Sequence, residues 1–195
     1  LISSIEDNNP VIFFEHRWLH EVRGNVLKNY YKTPIGKAKI LKKGSDITII
    51  SSSYMVIECL RSAEILKTYN IISEIVDLQS LRPLDINTIM KSVKKTKKVL
   101  VVDNGWTTYG ISAEIISKIY ENLKSKDKKK LNITRIGVAN TPIPSTKELA
   151  KYSYPNYLNI CRAAGKLLNK NLKKLSRYDI KFSSDQPNKD FMGPF

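Results

Sequence analysis

The sequence predicts a three-layer α/β/α fold around a five-stranded, mostly parallel sheet with one antiparallel edge strand. Two observations carry this prediction. Short β-branched runs alternate with amphipathic helical patterns, and one stretch has the pattern of a complete βαβ unit. Such alternation is typical of a parallel sheet covered by helices on both faces. A chain of 195 residues is long enough to bury a core and suits one domain with an appendage.

The βαβ unit occupies residues 74–106. Residues 74–78 form an apolar, β-branched run, and Pro83 prevents a helix from beginning before it. Asp85 then stands where a helix N-cap is expected. An apolar stripe follows at i, i+3, i+4 and i+7, formed by Ile86, Ile89, Met90 and Val93. Because residues 98–103 are the next buried strand, a right-handed crossover and a parallel strand pair are predicted.

The other elements follow from the same patterns. Strands are expected at 37–41, 47–51 and 132–138, and a tight turn at 43–46 is expected to join the first two as a hairpin. A shorter strand is expected at 11–14. Serines 51–53 are expected to cap the next helix, with a phosphate site at that helix end as the alternative. Further helices are predicted at 112–123, 146–152 and 157–175.

The chain is strongly basic, with 33 Lys and Arg against 18 Asp and Glu and a net charge of +15. Such a charge favours one candidate function, a basic nucleic-acid-binding α/β module, which stays as the alternative to the function inferred below. The run 124–130 has no interleaved aromatic residue, which favours a solvated loop. Gly105 and Gly110 lack the spacing of a dinucleotide fingerprint, so a nucleotide-binding domain is not supported.

Location is constrained by what the sequence lacks and by its cysteines. No apolar run reaches 18 residues, so neither a transmembrane helix nor a membrane partner is expected. The first residues have neither an initiator Met nor a signal-peptide layout, and the chain is expected to be part of a longer protein. Cys59 and Cys161 fall on apolar helix faces, as buried thiols in a reducing compartment do. Bacterial cytoplasm or an organelle matrix is predicted.

Two groups of residues are candidate sites on residue chemistry alone. His16 and His20 are four apart beside Glu15, but they follow a predicted strand and have no third ligand nearby, so no metal site is predicted. Trp106 and Tyr109 lie in a loop after a parallel strand, and large aromatic groups are favoured at interfaces. They are predicted to contact another subunit. The alternative is that Trp106 folds back onto its own core.

Five segments, in order and suitably spaced, carry a family resemblance: 7–15, 34–38, 80–85, 104–106 and 141–144. Together they resemble the beta subunits of thiamine-diphosphate-dependent 2-oxo acid dehydrogenases, including their C-terminal, transketolase-type domain. The resemblance covers residues 1 to about 175. It implies that residues 1–22 close a pyrimidine-binding domain, that 23–33 are a linker, that 34–175 are the transketolase C-terminal-like domain, and that 176–195 are a polar tail.

The resemblance also implies a function. Such enzymes are α2β2 heterotetramers that oxidatively decarboxylate a 2-oxo acid with thiamine diphosphate and magnesium. The implied partners are an alpha subunit, a second beta subunit and the lipoyl acyltransferase component. Catalytic and cofactor-binding residues are implied to lie outside this chain, which is expected to be an inactive assembly module by itself. A potassium ion is implied at Ser4, Asp7 and Asn9.

Overall fold

The computed structural model describes residues 1–20, 22–138, 140–150 and 152–178. Its five-stranded sheet has the order β1-β3-β2-β4-β5. Strand β1 is antiparallel to β3, and the β2/β3, β2/β4 and β4/β5 pairs are parallel. The strands are β1 Lys39–Lys42, β2 Ile47–Ser51, β3 Ser73–Asp77, β4 Lys98–Trp106 and β5 Asn132–Val138. The predicted fold class is confirmed.

Seven α-helices accompany the strands in the described part of the chain. They are α1 Ile2–Ile5, α2 Met55–Lys67, α3 Ile86–Thr96, α4 Ile111–Glu121, α5 Ser125–Lys128, α6 Lys147–Ala150 and α7 Tyr157–Leu167. Two 3-10 turns lie at Arg17–Leu19 and Leu175–Tyr178. None of the helices in these described ranges is long and apolar enough to cross a membrane.

Two hydrophobic cores lie on opposite faces of the sheet. Helices α2 and α7 cover one face, over Ile49, Ile75 and Leu100. Helices α3 and α4 cover the other, over Ile50 and Val76. Along the central strand β4, Leu100 and Val102 lie in the first core and Val99 and Val101 in the second, as is typical of a parallel sheet between two helical layers.

Helix α3 has the predicted cap. Asp85 is buried, and its carboxylate accepts hydrogen bonds from the Thr88 backbone N–H at 3.1 Å and from the Thr88 hydroxyl at 2.8 Å. The helix ends at Lys97, which adopts φ 55° and donates its N–H to the Val93 carbonyl. Both ends of the helix are therefore closed by the local contacts that capping requires.

The predicted hairpin between β1 and β2 is wrong. Strand β1 is the edge strand next to β3, so β3 lies between the two strands. The turn at 43–46 crosses over the beginning of β3, where the N–H groups of Ser45 and Asp46 both donate to the Ile72 carbonyl at 3.0 Å. A Cβ on Gly44 would lie 2.2 Å from the Ser73 carbonyl carbon. The glycine permits this close crossing, and the turn residues therefore serve a crossover.

Three other predictions are wrong, and a fourth is mostly untested. Ser51 lies in β2 and donates to the Val102 carbonyl at 2.8 Å, and α2 begins after Tyr54 with no side-chain cap, so the serine cap is wrong. Residues 11–14 form no strand. Helix α7 ends at Leu167 because Asn169 adopts φ 54° and Lys170 donates to the Gly165 carbonyl. Most of the predicted tail, residues 179–195, lies outside the described residues.

Candidate subunit interface

The candidate interface lies at the carboxyl edge of the sheet, where the parallel strands end. In open α/β sheets, binding sites usually lie at this edge. Strand β4 is the longest of the five, and its register against β5 shifts between Val102 and Trp106. The loop 104–110 therefore begins inside an extended strand and turns directly into α4.

Specific contacts hold this loop in place. The Thr107 N–H donates to the Val138 carbonyl at 3.2 Å, and the Asn140 side-chain amide contacts the Thr108 hydroxyl. A Cβ on Gly110 would lie 1.9 Å from the Trp106 carbonyl oxygen. Only glycine fits at that position, so the loop has one narrowly defined path.

Asp103 closes the inner side of the loop. Burial raises the pKa of its carboxyl group, while the N–H groups of Gly105 and Asn104 donate to the carboxylate and oppose that shift. The carboxylate organises the turn, because these two N–H groups donate to it instead of to a neighbouring strand.

The two predicted interface residues project outward from this fixed loop. Trp106 is 56% exposed and Tyr109 is 100% exposed. Tyr109 also has φ 57°, in the left-handed region. A bulky side chain in that region costs about 1 kcal/mol. The loop therefore holds a strained tyrosine that contacts nothing within the described residues.

A second feature of the same edge joins two segments quoted for the family resemblance. The Gly36 N–H donates to the Ser80 hydroxyl at 3.0 Å, and the Ala38 N–H donates to the Asp85 carboxylate at 3.1 Å. A Cβ on Gly36 would lie 2.7 Å from the Pro83 ring. Segments 34–38 and 80–85 thus form one latch between the beginning of the domain and the connection from β3 to α3. Each segment was recognisable in the sequence, but neither indicated the contact.

Asp85 serves both α3 and this latch. Burial alone raises the pKa of its carboxyl group, but hydrogen bonds from the Thr88 side chain and backbone and from Ala38 outweigh burial, and the pKa is lowered. The charged form is therefore the one that the fold stabilises.

The two histidines take part in separate contacts. The His16 ring stacks on Tyr54 with centroids 5.1 Å apart, and Trp18 meets the same tyrosine edge-on at 5.0 Å. Burial raises the pKa of Tyr54 to about 12. His20 Nε2 lies 3.4 Å from the Glu15 carboxylate. In the part of the chain that the structure describes, no three His, Cys, Asp or Glu side chains are grouped as metal ligands.

The aromatic cluster continues into a buried carboxylate that was not identified from the sequence. Glu58 is 3% exposed and accepts the Tyr157 N–H at 2.8 Å, at the beginning of α7. Arg61 donates to its other oxygen at 2.6 Å. Glu58 is therefore paired and serves as a structural link between α2 and α7.

The residues of the implied potassium site lie in a turn after α1. One carboxylate oxygen of Asp7 accepts both the Asn9 backbone N–H and the Asn9 side-chain amide, each at 2.9 Å. These hydrogen bonds lower the pKa of Asp7. Within the described residues, no hydrogen bond to the main-chain oxygens of Ser4, Asp7 or Asn9 is formed.

Comparison with known proteins identifies the family of the domain. The family described as "Transketolase, C-terminal domain" matches residues 36–160. The chain is 35% identical over 167 residues to the pyruvate dehydrogenase E1 component subunit beta of Rickettsia bellii, a match covering 86% of this chain and 51% of that relative. It is 38% identical over 168 residues to the mitochondrial subunit beta of Pisum sativum, covering 84% and 46%.

A solved structure agrees on the fold. A split-gene transketolase in an inactive beta4 tetramer superposes with a TM-score of 0.63 and 22% identity, over 71% of this chain and 44% of that one. This chain spans about half the length of the relatives named above. The sequence similarity nevertheless extends beyond the family domain itself. The chain therefore belongs to the transketolase C-terminal domain family and is homologous to the beta subunits of pyruvate dehydrogenase E1.

Proposed function

We propose that this chain is the C-terminal assembly module of the beta subunit of a thiamine-diphosphate-dependent 2-oxo acid dehydrogenase. In this proposal the intact enzyme oxidatively decarboxylates a 2-oxo acid, pyruvate by the names of the relatives, and passes the acyl group to lipoate. The module's own part is to place neighbouring subunits. The observation that supports it is the rigid loop 104–110, which holds Trp106 and Tyr109 exposed.

The energetics of the loop favour a contact made in assembly. Residues held in unfavourable backbone regions are stabilised by their surroundings and cluster at functional sites. Tyr109 has such a backbone and is fully exposed, so the folded monomer gains no burial from it. Aromatic side chains supply large contact areas at protein interfaces. A subunit that covered Tyr109 and Trp106 would compensate the strain.

The proposed partners are an alpha subunit, a second beta subunit and the lipoyl acyltransferase component. Thiamine diphosphate and magnesium belong to the intact enzyme in this proposal. The described residues offer no carboxylate cluster suited to magnesium. Calorimetry on the 195-residue chain with both ligands should therefore show no binding at micromolar concentrations. Measurable binding would place cofactor contacts in this chain.

The assembly role is tested in the full-length beta subunit with its alpha subunit. Trp106→Ala and Tyr109→Gly should each weaken assembly at least tenfold by analytical ultracentrifugation. The melting temperature of the module should change by less than about 2 °C with Trp106→Ala, and Tyr109→Gly should keep or raise it because the strain is relieved. Tyr120→Ala, at a 37% exposed aromatic on α4, is the matched control. A large loss of stability with intact assembly would show that Trp106 serves its own core.

We also propose the potassium site at Ser4, Asp7 and Asn9. Main-chain oxygens without hydrogen-bond donors are ligands that a hard cation accepts. Further ligands are required from outside these three residues. Potassium should raise the melting temperature of the full-length subunit relative to sodium. Asp7→Ala should reduce that difference, because the Asp7 carboxylate holds the turn that positions the main-chain oxygens. Equal effects of the two cations in the unsubstituted subunit would argue against the site.

The proposed domain organisation and location follow the same family. Residues 1–22 are assigned to the pyrimidine-binding domain, 23–33 to the linker, 34–175 to the assembly module and 176–195 to a tail. The relatives include bacterial and mitochondrial proteins. We therefore propose bacterial cytoplasm or an organelle matrix as the compartment, which fractionation of the source cells would test.

A further inference from the structure

The amino edge of the sheet, opposite the loop described above, collects lysines. Parallel strands all begin at this edge, and the helices that return between them end there. Three segments contribute: 94–98 at the end of α3, 124–130 between α4 and β5, and 166–174 at the end of α7. Together these segments, here called the lysine edge, contain thirteen lysines and a single acidic residue, Asp127.

Hydrogen bonds join the three segments into one surface. The Asn132 N–H, two residues after the second segment, donates to the Lys97 carbonyl at 3.0 Å. The Asn132 side-chain amide donates to the Leu167 carbonyl at 3.2 Å, which connects the third segment. Lys170 Nζ then reaches the Asn70 carbonyl at 3.3 Å. The lysine edge therefore crosses the sheet from the α3/α4 layer to the α2/α7 layer.

Almost all of these lysines carry uncompensated charge. Of the lysines in the three segments, only Lys95 forms an ion pair within the described residues, with Glu74. The helix dipole favours cations in a last turn, which accounts for Lys94 and Lys166. It does not account for Lys129 and Lys130, which follow the end of α5. Like charges so concentrated repel one another, and an oppositely charged partner relieves that repulsion.

We propose that the lysine edge is a docking surface for an acidic polypeptide segment. The charge is complementary to Glu- and Asp-rich sequence, and the surface spans both helical layers, as an extended segment can. A nucleic acid is the less favoured occupant because the three segments contain neither arginine nor an aromatic residue. Arginine forks bind phosphate bidentately, and aromatic rings stack on bases. The surface is separate from the loop 104–110, so loss of this docking and loss of subunit assembly are distinguishable.

Two triple charge-reversal variants distinguish the effect of the lysine edge from the effect of the net charge of the chain. The first variant is Lys97→Glu, Lys129→Glu and Lys173→Glu, with one exposed lysine from each segment. The matched control is Arg23→Glu, Lys28→Glu and Arg162→Glu, three exposed cations outside the lysine edge with the same change in net charge. The probe is a fluorescent 15-residue Glu/Asp peptide, measured by anisotropy at several salt concentrations.

The lysine-edge variant should lose at least tenfold in affinity for the peptide, and the control less than threefold. Equal losses would reduce the effect to net charge and overturn the proposal. A single-stranded oligonucleotide of equal charge is the competing probe. If it binds at least tenfold more tightly than the peptide, and the lysine-edge variant alone weakens it, the surface is one for nucleic acid.

A second measurement needs no variant and so does not depend on a substituted protein folding. Carbodiimide coupling joins carboxylates to contacting lysine amines, and mass spectrometry locates the bonds. Coupling of the acidic peptide to the unsubstituted chain should concentrate in 94–98, 124–130 and 166–174. Coupling spread evenly over lysines throughout the chain, including Lys28 and Lys37, would overturn the proposal.

Discussion

The two edges of the sheet differ in how their residues are held. At the carboxyl edge, Asp103, Gly110 and the end of β5 hold the loop 104–110 by specific contacts, and the loop exposes two aromatic side chains. At the amino edge, the lysines project from helix ends and turns, and nearly all lack ion-pair partners within the described residues. One edge therefore has a shape set by backbone contacts, and the other has a charge set by composition. Shape suits a fixed subunit contact, whereas unpaired charge suits a flexible partner.

A close backbone crossing exists at each edge, and these give the largest expected effects. A Cβ at Gly110 would lie 1.9 Å from the Trp106 oxygen, and one at Gly44 would lie 2.2 Å from the Ser73 carbonyl carbon. Gly110→Ala and Gly44→Ala should each lower the free energy of unfolding by about 3 kcal/mol or more, because backbone atoms must move. Gly24→Ala, with nothing within 4 Å of its Cβ, is the control in denaturant titrations. A small loss at Gly110 would show that the carboxyl edge adapts.

Lys95 is the exception among the amino-edge lysines, and its removal gives a smaller expected effect. It pairs with Glu74, whose side chain is 1% exposed, while its own is 47% exposed. Lys95→Met should lower the free energy of unfolding by about 2 kcal/mol, because it leaves a buried carboxylate without a cation. The loss is smaller than for a fully buried pair because the lysine itself is half exposed. Adding Glu74→Gln should recover more than half of that loss.

Lys94→Met is the matched control for Lys95→Met, since Lys94 is exposed and forms no ion pair within the described residues. It should change the free energy of unfolding by less than about 0.5 kcal/mol. Equal losses at Lys94 and Lys95 would contradict the distinction between one structural lysine and the free lysines around it.

Two aspartates near the carboxyl edge give the smallest expected effects, with opposite signs. The pKa of Asp85 is lowered in the folded state. The stability that its charged form contributes is therefore fully present above the unfolded pKa of about 3.9 and is lost as pH falls through the folded pKa. Asp85→Asn should cost about 1 kcal/mol at pH 7, and the difference should vanish in strong acid.

Burial raises the pKa of Asp103 in the folded state. Above the folded pKa the charged carboxylate therefore destabilises the folded state, and below the unfolded pKa this penalty is absent because the group is neutral in both states. Asp103→Asn should therefore gain roughly 0.5 kcal/mol at pH 7, and the gain should disappear as pH falls below about 3.9. Urea titrations between pH 2 and 7 measure both variants. Parallel pH profiles would show that the two carboxylates have similar environments.

The sequence was sufficient wherever a signal is local. The apolar stripe of α3, its Asp85 cap and the positions of the five strands all follow from side-chain period and capping chemistry, which neighbouring residues determine. Trp106 and Tyr109 were predicted to be interface residues because a loop after a parallel strand lies at the carboxyl edge of the sheet, and both side chains are exposed. The latch of Gly36 on Pro83 and Ser80 was not, since residues 44 apart in sequence carry no signal of their contact.

The sequence by itself determined the fold class, the element order and the family, because period, turn residues and spaced motifs are written along the chain. Only the tertiary structure decided that β1 pairs with β3, that residues 11–14 remain outside the sheet, and that the lysines of three distant segments form one edge. Strand neighbours depend on which hydrogen-bonding edge remains free after the crossovers are placed. Surface charge converges because every returning helix ends at the same side of a parallel sheet.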